Sequence, residues 1–498
     1  MFDTEKEINQ EIKNKLLAFM REDAYKPLSH DELVQAFQDD SFQVPELDEV
    51  LNSLLEEGSI IITRKNKYGL TEKMNMVAGR IQGNKKGFGF LIPDNKDLRD
   101  LFIPAENLNG AMNDDRVIVR LTAGESETRK SEGEVIRILK RANTRIVGTF
   151  ENGNGYGFVV PDDPRIYQDI FVSKSDFNGA KDGYKVVVEI TRWPEARRNP
   201  EGIVVEVLGH KDDVGTEILS IIRGHNLPEE FPIEVENQAA KIPELVSDAD
   251  IAKRRDLREK TIVTIDGEDA KDLDDAVSLE ILPDGNYLLG VHIADVSQYV
   301  FENSYLDKEA LKRGTSVYLI DRVVPMLPKR LSNGICSLNP QIERLTLSCD
   351  MVIDKKGKVK EYEIYESVIK TRERMTYENA NKILAGSDPM LTERYGYLID
   401  TFRQMEELML ILNKKRRLRG SIDFEFEETK IILDEKGRPI EIKPYERGIS
   451  ERIIEEFMLV CNETVAEHFY WTGIPFIYRV HEEPEIDKMK AFAKFAGN

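Results

Sequence analysis

Residues 261–279 read TIVTIDGEDAKDLDDAVSL and set Asp266, Asp272, Asp274 and Asp275 in one short loop behind an apolar, β-branched run. Two carboxylates about 4 Å apart repel by roughly 4 kcal/mol at an effective dielectric near 20, so a folded chain keeps such a cluster only by spreading, protonating or metallating it. An all-oxygen set with neither His nor Cys selects Mg²⁺, with Mn²⁺ as a possible substitute. Residues 261–265 read as a buried strand ending at Asp266. Residues 276–281, followed by Pro283, Asp284 and Gly285, read as a strand entering a hairpin. The carboxylates therefore lie between two core elements, which weighs against the competing reading of a solvated acidic loop.

Outward from this loop, residues 251–498 have the pattern of a large α+β body. A hairpin is expected over 351–364 around Lys355, Lys356 and Gly357, with long helices over about 398–418 and 453–471. His292 and His481 sit among apolar residues and read as hydrogen-bonded core histidines. The basic run from Lys414 to Arg419 ends a helix, where cations favour the dipole; a contact with an RNA backbone is the alternative. Residues 211–250 read as a helical connector.

An internal repeat precedes the connector. KGFGFLIPD (86–94) recurs as GYGFVVPD (155–162), and DLFIP (100–104) as DIFVS (169–173), at offsets of 68 and 69 residues. Residues 76–141 and 142–210 thus form two strand-rich modules, each expected to be an OB-type barrel. Alternation puts Phe88, Phe90 and Phe102 on one strand face of the first, and Tyr156, Phe158 and Phe171 on one face of the second. Such rings are either core or a platform on which bases stack, at about 1–3 kcal/mol per base. The glycines beside Phe88 and Tyr156 favour a bare platform. Gly83 and Gly87 do not form a phosphate loop, because neither a lysine-serine pair nor a following helix is present. Residues 1–75 show three apolar helical stripes, a capping box from Ser29 to Glu32, and a hairpin over 59–70 whose turn carries Lys65 and Lys67, the order of a winged helix.

The chain has 498 residues, a formal charge of −21 and a pI near 5.0, too long for one core and too acidic for indiscriminate nucleic-acid binding. A local positive groove is still compatible with that total. No apolar run is long enough to span a membrane, and the first residues lack the apolar region of a signal peptide. Cys336, Cys349 and Cys461 are far apart and read as buried thiols in a reducing cytoplasm, with no membrane partner.

Four further stretches carry a resemblance. The aspartate spacing, VHIADVSQYV (291–300), RGTSVYLIDRVVPMLPKRLSNGICSLNP (313–340) and RGSIDFE (419–425) resemble the RNase II/RNase R (RNB) family of 3′-to-5′ exoribonucleases. The three amino-terminal modules make the RNase R type the nearer match, and GFGF and GYGF resemble the RNA-binding strands of cold-shock domains. The resemblance implies a multidomain α+β protein: a winged helix, two cold-shock barrels and an RNB catalytic body. It also implies Mg²⁺-assisted hydrolysis of single-stranded RNA from the 3′ end to nucleoside 5′-monophosphates. On that pattern Asp266, Asp272, Asp274 and Asp275 are the metal and catalytic set, with Asp274 the most sensitive. Tyr318 and Phe424 sandwich the terminal bases, and Glu456 contacts the RNA end. Ribosomes or RNA-decay factors would be further partners. The chain stops at Asn498, before the family's catalytic arginine motif, carboxy-terminal OB domain and lysine-rich tail. The expectation is therefore an incomplete, poorly active member. The rival expectations are a non-catalytic, cold-shock-type RNA chaperone and a DNA-binding repressor that uses the winged helix.

Overall fold

The computed structural model describes residues 2–22, 26–37, 44–123, 131–195, 198–422, 428–445 and 447–497, in two compact units, Met1–Leu227 and Pro228–Asn498. In the first unit, helices Phe2–Arg21, His30–Ala36 and Val44–Glu56 are followed by a hairpin of Ile60–Ile62 and Tyr68–Leu70. Ile12, Leu16, Met20, Leu33, Val50, Leu54 and Ile60 fill their shared core. The capping box forms: Ser29 Oγ accepts from the Glu32 amide at 3.3 Å and Glu32 Oε2 from the Ser29 amide at 2.7 Å. At the hairpin turn Lys67 is paired with Glu32 at 3.1 Å, while Lys65 is exposed.

The repeat folds into two closed barrels of five strands each. Met76–Gly83, Gly89–Pro93, Leu101–Ile103, Arg116–Ala123 and Glu132–Lys140 make the first; Arg145–Asn152, Tyr156–Pro161, Ile170–Ser173, Tyr184–Arg192 and Glu201–His210 make the second. Both have the same strand order, with the third strand closing on the fifth in parallel. Aliphatic side chains occupy the first interior, and aliphatic side chains with the fully buried Phe150 the second, which leaves the repeated aromatics outside.

The second unit is built on a seven-stranded mixed sheet. Its order is Arg255–Asp256, Val359–Lys370, Glu343–Ile353, Tyr287–Ala294, Asp275–Ile281, Val263–Asp266 and Glu373–Thr376. The two outermost pairings are parallel and the others antiparallel. Helices Tyr377–Ala385, Ile399–Leu418 and Ile449–Thr472 cover one face, burying Phe402, Met405, Leu408, Ile453 and Phe457 against Val277, Leu289, Val291 and Met351. All three cysteines are buried free thiols, and among the described residues no helix is long and apolar enough to cross a membrane.

The two histidines part company. His292 is fully buried, with its ring nitrogens on Ser278 Oγ at 3.1 Å and Ser348 Oγ at 2.7 Å, a core histidine as expected. His481 is not: it is exposed, because nothing after Thr464 is buried among the described residues. Burial, assisted by Lys260, pushes His292 down to about 3. Its folded-state pKa lies below the unfolded value near 6.5, so the unfolded chain takes up a proton that the native chain refuses. The stability this contributes is present above pH 6.5 and is lost progressively as pH falls towards 3, by up to roughly 5 kcal/mol. In an NMR titration of the folded chain the His292 ring should remain neutral at pH 4.5, where exposed histidines are protonated; a midpoint above 6 would contradict the assignment.

Candidate active site

Two strand ends and the loop between them hold the four aspartates. Asp266 is the last residue of its strand and Asp275 the first of the next; Asp272 and Asp274 come from the loop. This loop has no regular structure, so its backbone must be held by the surrounding protein. Arg374 does so on one side, its guanidinium donating to the carbonyls of Gly267, Glu268 and Ala270 at 3.1, 2.6 and 2.9 Å. On the other side Ser337 Oγ accepts from the Leu273 amide at 3.1 Å and donates to the Lys271 carbonyl at 2.9 Å, and the Leu338 amide donates to the Leu273 carbonyl at 2.8 Å. Leu273 is buried, so the side chains on either side of it are turned outward. Ser337 is itself fixed by buried Arg344, which donates to the Ser337 carbonyl at 2.8 Å and the Gly334 carbonyl at 3.0 Å. The Ala294 amide closes the frame on the Asp274 carbonyl at 3.0 Å.

The electrostatics follow from that confinement. Burial and then the Asp275, Asp274 and Asp272 charges push Asp266 up to about 7, with Arg374 opposing. Asp274 is exposed as a residue, yet partial burial by the surrounding loop and then the charges of Asp272 and Asp275 push it up to about 6. Burial raises Asp275 as well. Tyr377, packed below, is raised by burial and by Asp266 and Asp275. Asp266 Oδ2 is buried with no hydrogen-bond partner among the described residues. The four carboxylates thus share one field, with Arg374 the counter-charge on Asp266.

Of the other expected residues, Tyr318 reaches this cluster. Its ring is 64% exposed and its hydroxyl donates to Asp272 Oδ2, a bond that pushes the phenol up to about 12. Phe424 lies outside the described residues. Glu456 is 4% exposed, and Asn413 Nδ2 and Arg416 Nε donate to its Oε1 at 2.8 and 2.9 Å, so the carboxylate ties two long helices together. The basic run is likewise engaged: Lys415 donates to the Gly357 carbonyl and Arg419 pairs with Glu463.

On the first barrel Phe88, Phe90 and Phe102 are half-buried, with ring centroids 5.4–5.8 Å apart. On the second, Tyr156, Phe158 and Phe171 lie 5.7–6.2 Å apart, with Tyr156 44% exposed. Cross-strand register brings Phe90 opposite Phe102 and Phe158 opposite Phe171. Each set is an outward platform of rings.

Comparison with known proteins agrees with this arrangement. The model of the RNB domain matches residues 254–498, that of a cold shock domain 158–232, and that of the ribonuclease B OB domain 79–138. Ribonuclease R of Thermotoga maritima is 48% identical over 472 residues, covering 94% of this chain and 66% of that protein. Ribonuclease R of Escherichia coli is 38% identical over 469 residues, covering 94% and 57%. The chain belongs to the RNB ribonuclease family. Among solved structures, Mycoplasma genitalium RNase R in complex with ribose methylated single-stranded RNA superposes with a TM-score of 0.78 at 31% identity, over 84% of this chain and 66% of that one. The chain spans less than two thirds of the length of these RNB relatives.

RNB nucleases generally depend on a divalent metal. The donor set here fits a hard cation: every candidate ligand is a carboxylate oxygen, and one of them, on Asp266, is buried without a partner. Among the described residues no three such side chains are yet drawn together as a closed cage. Sequence reasoning missed the roles of Arg374, Ser337 and Arg344; Ser337 lies inside the quoted stretch 313–340 but nothing local shows that it holds the loop, and all three roles follow from which segments are neighbours. Replacing Arg374 with Met should leave the sheet intact but cost about 2 kcal/mol, since three acceptors lose a charged donor. Hydrogen exchange should show faster exchange across residues 267–273 with unchanged protection in the strand Tyr287–Ala294; uniform loss of protection would show a global role instead.

Proposed function

We propose that this chain carries the nuclease centre of a 3′-to-5′ exoribonuclease that hydrolyses single-stranded RNA to nucleoside 5′-monophosphates. The observation that carries the reading is the confinement of Asp266, Asp272, Asp274 and Asp275 in one field beside an exposed aromatic, Tyr318. Asp266 and Asp275 would hold Mg²⁺ from the strand ends, with Asp272 and Asp274 completing the set. When bound, such a cation supplies charge neutralisation at the phosphoryl oxygens and lowers the pKa of a reacting water. The rest falls to the chain. Arg374 and Ser337 keep the carboxylate loop from opening, which spares the site that reorganisation during reaction. Tyr318 offers a ring face to a terminal base while its hydroxyl ties it to Asp272, so the base is registered against the carboxylates. Phe424 is assigned to the other side of that base by the family pattern alone.

The aromatic platforms of the two barrels would take single-stranded RNA upstream of the cut. Stacking recognises any base, which suits an enzyme that must pass every sequence. Buried free thiols are compatible with a cytoplasmic setting.

The test uses a version extended to the length of its relatives, given a 5′-labelled RNA with a 3′ overhang, with Mg²⁺ or EDTA. Stepwise shortening with mononucleotide release is expected, abolished by EDTA and reduced at least about 100-fold by Asp274→Asn. Tight binding with 3′ ends intact after long incubation would reject catalysis and favour a non-catalytic RNA chaperone.

A further inference from the structure

We propose that Tyr167, on the second barrel, is a fourth base-stacking side chain of the first barrel's platform for single-stranded RNA. The inference rests on the reading of Phe88, Phe90 and Phe102 as an RNA platform.

Tyr167 lies in the loop between Tyr156–Pro161 and Ile170–Ser173. The loop is built to a fixed shape: Asp163 accepts from the Arg165 amide at 2.9 Å and from its guanidinium at 2.9 Å, and Ile166 is buried in the second barrel's core beside Met112 of the first. It docks on the first barrel through missing side chains. A Cβ on Gly83 would stand 2.3 Å from the Arg165 carbonyl oxygen, too close to exist, and a Cβ on Gly87 would stand 3.4 Å from the Tyr167 ring. Gly87 also adopts φ +89°, open to glycine at no cost. These two glycines, which do not form a phosphate loop, are where the second barrel's loop meets the first.

The docking leaves the Tyr167 ring 44% exposed and lining one cleft with Phe88. A ring that served only to seal the contact would be covered. The second barrel has no counterpart: Gly155 occupies the place of Gly87 at φ +90°, with nothing within 4 Å of where its Cβ would be. The two repeats, alike in strand order and in their three rings, thus differ at this point. The first copy borrows a ring from the second. The junction is stiff enough to hold a base in register, because Arg141 of the first barrel stacks at 4.3 Å over Trp193 of the second and pairs with buried Asp115 at 2.7 Å.

Binding of the 498-residue chain to a fluorescent twelve-nucleotide oligouridine tests this. Tyr167→Ala should weaken binding about 5-fold or more, as expected for the loss of one stacked base, while Tyr167→Phe stays within 2-fold. If Phe88→Ala weakens binding but Tyr167→Ala does not, Tyr167 is only a packing residue and the proposal fails. If neither does, the platform reading fails with it. Against misfolding of the alanine variant, 5-iodouridine photocrosslinking to the unmodified chain should give an adduct on Tyr167; adducts on Phe88 or Phe102 without one on Tyr167 would overturn the assignment.

Discussion

Like charges held together need a frame, and the carboxylate loop is where that need shapes the second unit. A free loop bearing Asp266, Asp272, Asp274 and Asp275 would swing its side chains apart into water and keep ordinary carboxylate pKa values. Here the backbone is fastened on both sides, by the Arg374 guanidinium and by Ser337, and burial, with the neighbouring carboxylate charges second, raises the pKa values of Asp266 and Asp274. The frame extends inward. Arg374 sits on a strand parallel to the one ending at Asp266, and Arg344 on a strand of the same sheet fixes the segment that carries Ser337. The seven-stranded sheet and its helical cover thus keep the charge set in place.

The first unit is organised around a different constraint, the separation of barrel core from surface rings. Two barrels of identical strand order fill their interiors mainly with aliphatic side chains, Phe150 of the second excepted, and turn the repeated rings outward. A ring on a barrel surface would ordinarily be a liability, since exposed apolar area favours association. Here three rings on each barrel cluster with centroids 5.4–6.2 Å apart, so they cover part of one another's apolar area.

Much of this was legible in the chain. Strand alternation separated barrel core from platform, because period 2 assigns faces without any knowledge of the neighbours. The capping box at Ser29, the hairpin at Gly285 and the strand ends at Asp266 and Asp275 are set by contacts only a few residues apart. Where neighbours came from afar, local pattern was silent. The resemblance placed Glu456 at the RNA end, and nothing near it in the chain signals that Arg416, forty residues earlier, bonds its Oε1. His292 lies in an apolar strand with a sheet and two serines around it, whereas His481, followed by Glu482 and Glu483, is exposed.

The sequence by itself therefore determined the charge cluster, the repeated aromatic faces and the secondary elements, all of which depend on local spacing and residue chemistry. The tertiary structure alone decided what confines the charges. Arg374 stands about a hundred positions from the carbonyls it holds and Ser337 more than sixty from the amide it caps. Partners at such distance along the chain are chosen by sheet order and loop closure, for which no local pattern codes.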